Sequence, residues 1–330
     1  MKSSFTALVS VAALIVGGIL STASATDQRN YLVNPKSIGP AYWAAFQKGV
    51  EQAGKDLSVG VVFNAPPEAD SSKQVNLLQD MLNRNFNGIA IAANDPAAVV
   101  PVIKKARDRG ISVVTVDSDA PSSARQYYIT PSTDEDKGVT LAKYMGELLG
   151  GKGKVAFMVA GLSAKNQIDA SKAAQDYLKA HFPDISVVTT VSSNDDSQRA
   201  FANAQSLVQA YPDLNGIIGF AGGEIPAAAE VVEQAVKAGT LKAGQIKMTG
   251  LVVPSQISKY LKSHTVDKVY LWDVVKLGYA TVYVLDQLAQ GKKIADGMEI
   301  PTIGKVKVDG PNIYIGTVEI TRDNVDTFGF

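Results

Sequence analysis

Short apolar runs rich in β-branched residues alternate with amphipathic stretches of helical period along the first half of the chain. In order they are YLV, YWAAFQKGVEQAGKDL, VGVVF, SSKQVNLLQDMLNRN, GIAIA, AAVVPVIKKARDRG and SVVTV. A period of two residues predicts strands and a period of 3.6 residues predicts helices. Because the predicted strands are nearly continuous in apolar residues, we expect a parallel sheet covered by helices on both faces.

The same alternation restarts after TPSTDEDKG and runs through four more predicted helices. A later helix, VVKLGYATVYVLDQLAQG, is so apolar that we expect it to be buried against the first lobe. We therefore predict an α/β fold of two Rossmann-like lobes with parallel sheets, joined by a hinge of several strands. The predicted boundaries are 26–131 and 274–303 for the N-terminal lobe, and 132–273 and 304–330 for the C-terminal lobe.

Residues 1–25 have the pattern of a secretory signal peptide: a lysine, an apolar run and the small-residue end Ala23-Ser24-Ala25. A membrane anchor is less favoured, because Gly17-Gly18 interrupts the run and polar residues follow. The chain has no cysteine, which excludes disulfides, thiolate catalysis and a cysteine-linked lipid. We expect cleavage after residue 25 and a soluble protein in the periplasm.

Charge and motifs disfavour several function classes. Basic and acidic residues number 32 each, which does not favour a nucleic-acid partner. His181 and His264 are the only histidines and lack metal-ligand spacing. GELLGGKG resembles a phosphate loop, but Gly153 replaces the required Ser or Thr and the loop follows a predicted helix. No nucleophile elbow or catalytic triad is recognisable. We therefore expect neither a metal, a cofactor nor catalysis.

Polar and aromatic clusters follow the predicted strands at the edge where α/β sheets bind ligands. The clusters contain Lys36, Tyr42, Trp43, Asp117, Ser118, Asp119, Asn166, Gln167, Pro226, Ala228, Trp272 and Asp273. Since adjacent helical residues point about 100° apart, at least one of Tyr42 and Trp43 is expected to face the cleft.

Two aspartates of these clusters have competing interpretations. Asp117 ends a strand directed into the cleft, which favours a ligand acceptor over a turn residue. Asp119 precedes Pro121, which favours a turn residue. Asn166, Gln167 and Asp273 could also serve as helix caps.

Three stretches carry a resemblance to a known family: GPAYWAAFQKG, GIAIAANDPAAVVPVIKKARDRGISVVTVDSD and YPDLNGIIGFAGGEIPAAAE. Together they resemble the type I periplasmic sugar-binding receptors of ABC importers, the group that includes the ribose receptor, over essentially all of the chain after residue 25. The resemblance implies a monomer whose lobes close on a small neutral sugar-like ligand, and a transporter permease as its partner.

Within that group the chain departs from the ribose pattern, since Ser118 stands where the ribose receptors carry arginine. It is more similar to the autoinducer-2 and rhamnose receptors, which share PK, DSD, NQ, PAAA and LWD at matching places. That branch implies ligand contacts from Lys36, Asp117, Gln167, Pro226 and Ala228. Because Asn166 replaces an aspartate of the autoinducer-2 receptors, the ligand is expected to be a sugar, deoxysugar, sugar alcohol or autoinducer-2.

In this interpretation Asp117 accepts two hydroxyl hydrogen bonds and Lys36 offsets its charge. The aromatic side chains offer flat faces to sugar C–H groups. The lobes are expected to hinge near residues 130–132 and 271–273. Two alternatives remain: a sensory receptor for the same ligands, and an exported sugar-acting enzyme with Asp117 as general base.

Overall fold

The computed structural model describes Met1 and residues 28–330, so the predicted signal peptide and its cleavage site lie outside the described residues except for Met1. The strands are β1 (Asn30–Asn34), β2 (Gly60–Phe63), β3 (Gly88–Ile91), β4 (Ser112–Val116), β5 (Tyr127–Thr130), β6 (Lys152–Val159), β7 (Asp184–Ser192), β8 (Gly216–Gly219), β9 (Lys247–Gly250), β10 (Lys268–Leu271), β11 (Glu299–Ile300), β12 (Gly304–Lys305), β13 (Lys307–Asp309), β14 (Asn312–Tyr314) and β15 (Val318–Thr321). The helices are α1 (Ala41–Asp56), α2 (Ser71–Met81), α3 (Val100–Asp108), α4 (Asp134–Leu148), α5 (Lys165–His181), α6 (Ser197–Ala210), α7 (Glu224–Lys237), α8 (Pro254–Lys262) and α9 (Val274–Ala289), with a 3-10 turn at Val325–Thr327.

Two separate sheets form the centres of two lobes. The first lobe contains a seven-stranded sheet in the order β13-β14-β5-β4-β3-β1-β2, parallel except for β13. The second lobe contains a parallel sheet in the order β7-β6-β8-β9. A bridge between Leu251 and Tyr270 joins β9 to β10, which pairs antiparallel with β15. The predicted α/β class with two parallel sheets is confirmed.

The helices α1 and α9 pack against each other without intervening side chains at their closest points. A Cβ atom on Gly278 would lie 2.1 Å from the carbonyl oxygen of Phe46, and one on Gly49 would lie 1.8 Å from that of Val275. Only glycine permits this approach. The helix α9 also contacts β3 and β4, so it is buried against the first lobe as its apolar sequence predicts.

Three connections run side by side between the lobes. The chain leaves β5 for α4, leaves β10 for α9, and leaves β14 for β15. Backbone hydrogen bonds from Ile315 N to Thr130 O and from Gly316 N to Pro131 O, both 3.0 Å, tie the third connection to the first. Within residues 28–330, no helix combines the length and apolarity needed to cross a membrane.

The predicted assignment of residues 304–330 to the C-terminal lobe is wrong for one segment. The strand β14 pairs in parallel with β5, with Asn312 opposite Tyr128, and β13 folds back on β14. The hairpin thus covers an edge of the first sheet that would otherwise expose unpaired backbone groups. Only β15, further along, joins the second lobe through β10. The other lobe boundaries stay a prediction.

Candidate ligand-binding site

A small cavity lies between the lobes, at the carboxyl ends of their strands. Of the predicted site residues, the cavity is lined by Lys36, Tyr42, Trp43, Asp117, Asn166, Gln167 and Trp272. Its volume is about 40 Å³, little more than one water molecule occupies in the liquid and far below the ~300–1,000 Å³ of ordinary ligand pockets. The lobes are therefore closed on each other in this structure.

A larger groove of about 660 Å³ lies beside the hinge, outside this cavity. Most of its charged side chains are already in ion pairs, among them Arg125 with Asp119 and Lys165 with Asp169. These paired groups are less available to a ligand than the groups of the interlobe cavity. The interlobe cavity is the better candidate.

The backbone at Asp117 aims its carboxylate into the cavity. Ser118 N donates to Val116 O at 2.6 Å around Asp117, whose φ is +61°. This is a three-residue turn of the rare, strained kind. Two further bonds hold it: Asp117 N donates to Ile129 O at 3.1 Å, and the Tyr128 hydroxyl donates to Asp117 O at 2.8 Å.

Three side chains surround the Asp117 carboxylate. The Tyr42 hydroxyl donates to Oδ1 at 2.8 Å, and Asn166 Nδ2 donates to Oδ2 at 3.3 Å. Lys36 Nζ lies 3.3 Å from Oδ2 and donates to Asn166 Oδ1 at 2.9 Å. Asn166 belongs to the second lobe and the others to the first, so this cluster spans the cleft.

The aromatic residues form one connected wall. Trp272 Nε1 donates to the Tyr42 hydroxyl at 3.1 Å, and the ring centroids of Tyr42 and Trp43 lie 4.8 Å apart, edge to face. Burial and the neighbouring Asp117 carboxylate raise the pKa of Tyr42 well above its usual value. Tyr42 therefore stays neutral and donates a hydrogen bond to Asp117. Both Tyr42 and Trp43 line the cavity.

Gln167 stabilises the loop that follows β6. Its side-chain oxygen accepts hydrogen bonds from the backbone amides of Ala160 at 2.8 Å and Gly161 at 3.0 Å. The amide nitrogen is left for other partners, and the residue reaches the cavity wall.

Two predicted ligand residues, Asp119 and Asp273, do not line the cavity in this structure. Asp119 binds Arg125 through both oxygens, at 3.0 and 2.7 Å, on the hinge side of the strand. The turn at Asp117 reverses the chain, so the two carboxylates diverge. Asp273 caps α9, where its side chain accepts from Lys276 N at 2.9 Å.

Three further predicted residues also lie outside the cavity lining. Pro226 and Ala228 belong to the start of α7, and Ala228 packs in the core with no exposed surface. Ser118 is fully buried, and its hydroxyl has no hydrogen-bond partner among the described residues. Pro226, by contrast, is half-buried in the first turn of α7.

Two acidic residues that we did not predict lie at the second-lobe side. Asp195 lines the cavity, and Ser37 Oγ donates to its Oδ2 at 3.2 Å. Burial raises the pKa of Asp195, while Lys36 and Ser37 counteract the shift. Behind it, burial raises the pKa of Glu224 to about 7, although Ser193 Oγ donates to its carboxylate at 2.6 Å.

Asp195 could have been predicted in the same way as Asp117, from its place in a loop that follows the end of a strand. Its loop, SSNDDS, follows the carboxyl end of β7, where ligand-binding loops are expected. Among the residues that the structure describes, no cluster of three or more acidic or histidine side chains could hold a metal ion.

Comparisons with known proteins agree with this architecture. The family model of the periplasmic binding protein domain matches residues 31–293. The D-allose-binding periplasmic protein of Escherichia coli is 27% identical over 214 residues, which cover 62% of this chain and 67% of the relative. The next two curated relatives are matched over only 57% and 58% of their own length.

Two solved structures share the whole fold. A solute-binding protein of an ABC transporter from Burkholderia graminis C4D1M, in complex with D-arabinose, is 28% identical with a TM-score of 0.79, covering 91% of this chain and 97% of that one. LsrB from Clostridium saccharobutylicum, in complex with AI-2, has a TM-score of 0.83 at 22% identity and covers 91% of this chain and 100% of that one, which shows likeness of fold alone. With its matching domain model, two closed lobes and polar interlobe cavity, this chain belongs to the periplasmic binding protein family.

Proposed function

We propose that this protein captures a small neutral sugar between its lobes and delivers it to an ABC importer. The observation that carries the proposal is the cavity itself: an aspartate oriented by a strained turn, with lysine, asparagine and three aromatic side chains around it. Carboxylate and amide groups match sugar hydroxyls, and aromatic faces match sugar C–H groups.

The charge of the cavity favours a neutral ligand over an anionic one. Among its described lining residues, Lys36 is the single cation, whereas Asp117 and Asp195 are both acidic. A sugar phosphate or sugar acid would meet this excess of carboxylate, with no arginine in the lining to bind it bidentately. Sugars, deoxysugars and sugar alcohols carry no such penalty, and autoinducer-2 remains within the proposed class.

The mutual contacts of the polar groups support binding by lobe closure. Lys36, Asp117 and Asn166 satisfy one another across a cavity too small for a sugar. A ligand can enter only when the lobes separate near 130–132 and 271–273, and its hydroxyls then replace these contacts on closure. We further propose export through cleavage after residue 25, a monomeric mature protein and no chemical turnover of the ligand.

A thermal-shift screen of the mature protein tests the proposal. The panel contains D-allose, D-ribose, D-arabinose, L-rhamnose, D-fucose, xylitol and autoinducer-2, with ribose 5-phosphate and gluconate as anionic controls. We expect at least one neutral compound to raise the melting temperature in a concentration-dependent way, because it binds only the folded state. Stabilisation by the anionic controls alone would contradict the proposal.

A further inference from the structure

The loop between β7 and α6 reaches across the cleft through two neighbouring residues. Ser37 Oγ donates to Asp195 Oδ2 at 3.2 Å, and Ala69 N donates to Asn194 O at 3.2 Å. Both donors belong to the first lobe and both acceptors to the second. These two bonds exist only while the lobes are closed.

The backbone of this loop is strained at the same two positions. Asn194 has φ +55° and Asp195 has φ +59°, a left-handed conformation that costs non-glycine residues about 1–3 kcal/mol each. Ser193 N donates to Val159 O at 3.0 Å and Ser192 Oγ donates to Asn194 Oδ1 at 3.2 Å, which holds the loop in place. The strain presents the Asp195 carboxylate to the cavity.

The position of Asp195 complements that of Asp117. The two carboxylates line the same cavity from opposite lobes, and Lys36 lies on the first-lobe side, 3.3 Å from Asp117 Oδ2. Closure therefore brings a second carboxylate toward the single lysine of the cavity. An ionised carboxylate can accept about four hydrogen bonds, more than its neighbours Ser37 and Trp43 supply, and Asp195 lines the cavity that a ligand would enter.

We propose that Asp195 is a specificity-determining residue that accepts a ligand hydroxyl and, with Ser37 and Lys36, latches the lobes once the ligand is bound. The inference rests on the proposed function, because the hydroxyl belongs to the proposed sugar. A latch formed after encounter acts on ligand release: its loss should leave the association rate nearly unchanged and accelerate dissociation.

The experiment compares Asp195→Asn with Asp196→Asn in stopped-flow tryptophan fluorescence, using the neutral sugar that gives the largest emission change with wild type. Asparagine tolerates the left-handed backbone, so Asp195→Asn should fold. Asp196 caps α6 by accepting from Arg199 N at 2.7 Å, and asparagine caps equally well. The control thus removes the neighbouring charge and leaves the latch intact.

We expect Asp195→Asn to raise the dissociation rate about 10- to 100-fold, with the association rate within about threefold of wild type, and Asp196→Asn to stay within about twofold in both rates. One single-deoxy analogue of the sugar should lose affinity with wild type and not with Asp195→Asn. Equal dissociation rates for the two variants would overturn the proposal, as would an identical pattern of deoxy losses in wild type and Asp195→Asn.

Failure of the proposed function would look different, since no sugar would then bind wild type by calorimetry or change its emission. In that case small-angle scattering of the ligand-free proteins tests the latch, because its loss should shift the lobes toward the open form. A radius of gyration larger for Asp195→Asn than for wild type and Asp196→Asn supports the latch, and equal values overturn it.

Discussion

Substituting Asp117 and Asp119 one at a time should have two different effects: the first change should weaken ligand binding, and the second should lower the stability of the fold. Asp117→Asn keeps the side-chain shape but replaces an anionic acceptor by a neutral acceptor and a donor. If the Asp117 carboxylate accepts two ligand hydroxyls, the loss should be about 2–4 kcal/mol, or roughly 30- to 1,000-fold in affinity. Asparagine also tolerates the positive φ of +61°, so the turn should persist.

Asp119→Asn should have the opposite effect. The Asp119 carboxylate binds the Arg125 guanidinium at 2.7 Å, and the two side chains are only 13% and 2% exposed. Removing one partner of a buried pair leaves the other charge uncompensated and costs about 3–5 kcal/mol. The asparagine retains one acceptor, so we expect a loss near the lower end, about 3 kcal/mol of unfolding free energy, with affinity within about threefold of wild type.

Calorimetric titration with the best sugar from the screen measures the first effect, and urea denaturation without ligand measures the second. The two variants act as controls for each other, because each removes one negative charge from the same three-residue stretch, Asp117 to Asp119. Unchanged affinity in Asp117→Asn, or a larger affinity loss in Asp119→Asn, would refute the assignment of the two carboxylates.

Glu224, whose pKa is raised to about 7 by burial, keeps its proton in the folded state where the unfolded chain has lost it. The protonated Glu224 therefore stabilises the fold fully below about pH 4.5, and this stabilisation, up to about 3 kcal/mol, is lost as the pH rises to about 7. Glu224→Gln should reduce the fall in unfolding free energy between pH 5 and pH 8, measured by urea denaturation. An unchanged fall in the variant would contradict the raised pKa. Gly278→Ala places a methyl group 2.1 Å from the Phe46 carbonyl oxygen. It should lower the unfolding free energy by at least about 2 kcal/mol in the same assay. An unchanged unfolding free energy would show that α1 and α9 can move apart at no cost. Tyr42→Phe removes the hydroxyl that donates to Asp117 at 2.8 Å and so frees the carboxylate to turn away from the ligand. Sugar binding measured by calorimetry should weaken about 5- to 30-fold. Unchanged affinity would show that this bond does not orient the carboxylate.

The sequence was sufficient to predict the two sheets because each strand is short, apolar and followed by an amphipathic helix. It was insufficient for the hairpin Lys307–Tyr314, since a three-residue strand has the same pattern whichever sheet edge it joins. The pairing depends on β5 having an uncovered edge, which is a property of the assembled sheet.

The site was predicted in part for a similar reason. The rule that ligands bind beyond the carboxyl ends of strands found Lys36 and Asp117, and applied to β7 it would have found Asp195. For Asp119 the sequence favoured a turn residue, because it precedes Pro121, but it did not predict the ion pair with Arg125. The positive φ at Asp117 sends the two carboxylates apart, and the turn is held by bonds to residues of β5, from Asp117 N to Ile129 O and from the Tyr128 hydroxyl to Asp117 O.

The aromatic wall provides the most direct test of the proposed site. The chain contains two tryptophans, Trp43 and Trp272, and both line the interlobe cavity. A neutral sugar bound there should change the intrinsic tryptophan emission in a saturable way, with one site per chain and a midpoint equal to the calorimetric dissociation constant. A sugar that binds by calorimetry yet leaves the emission unchanged would place the binding site elsewhere and contradict the account.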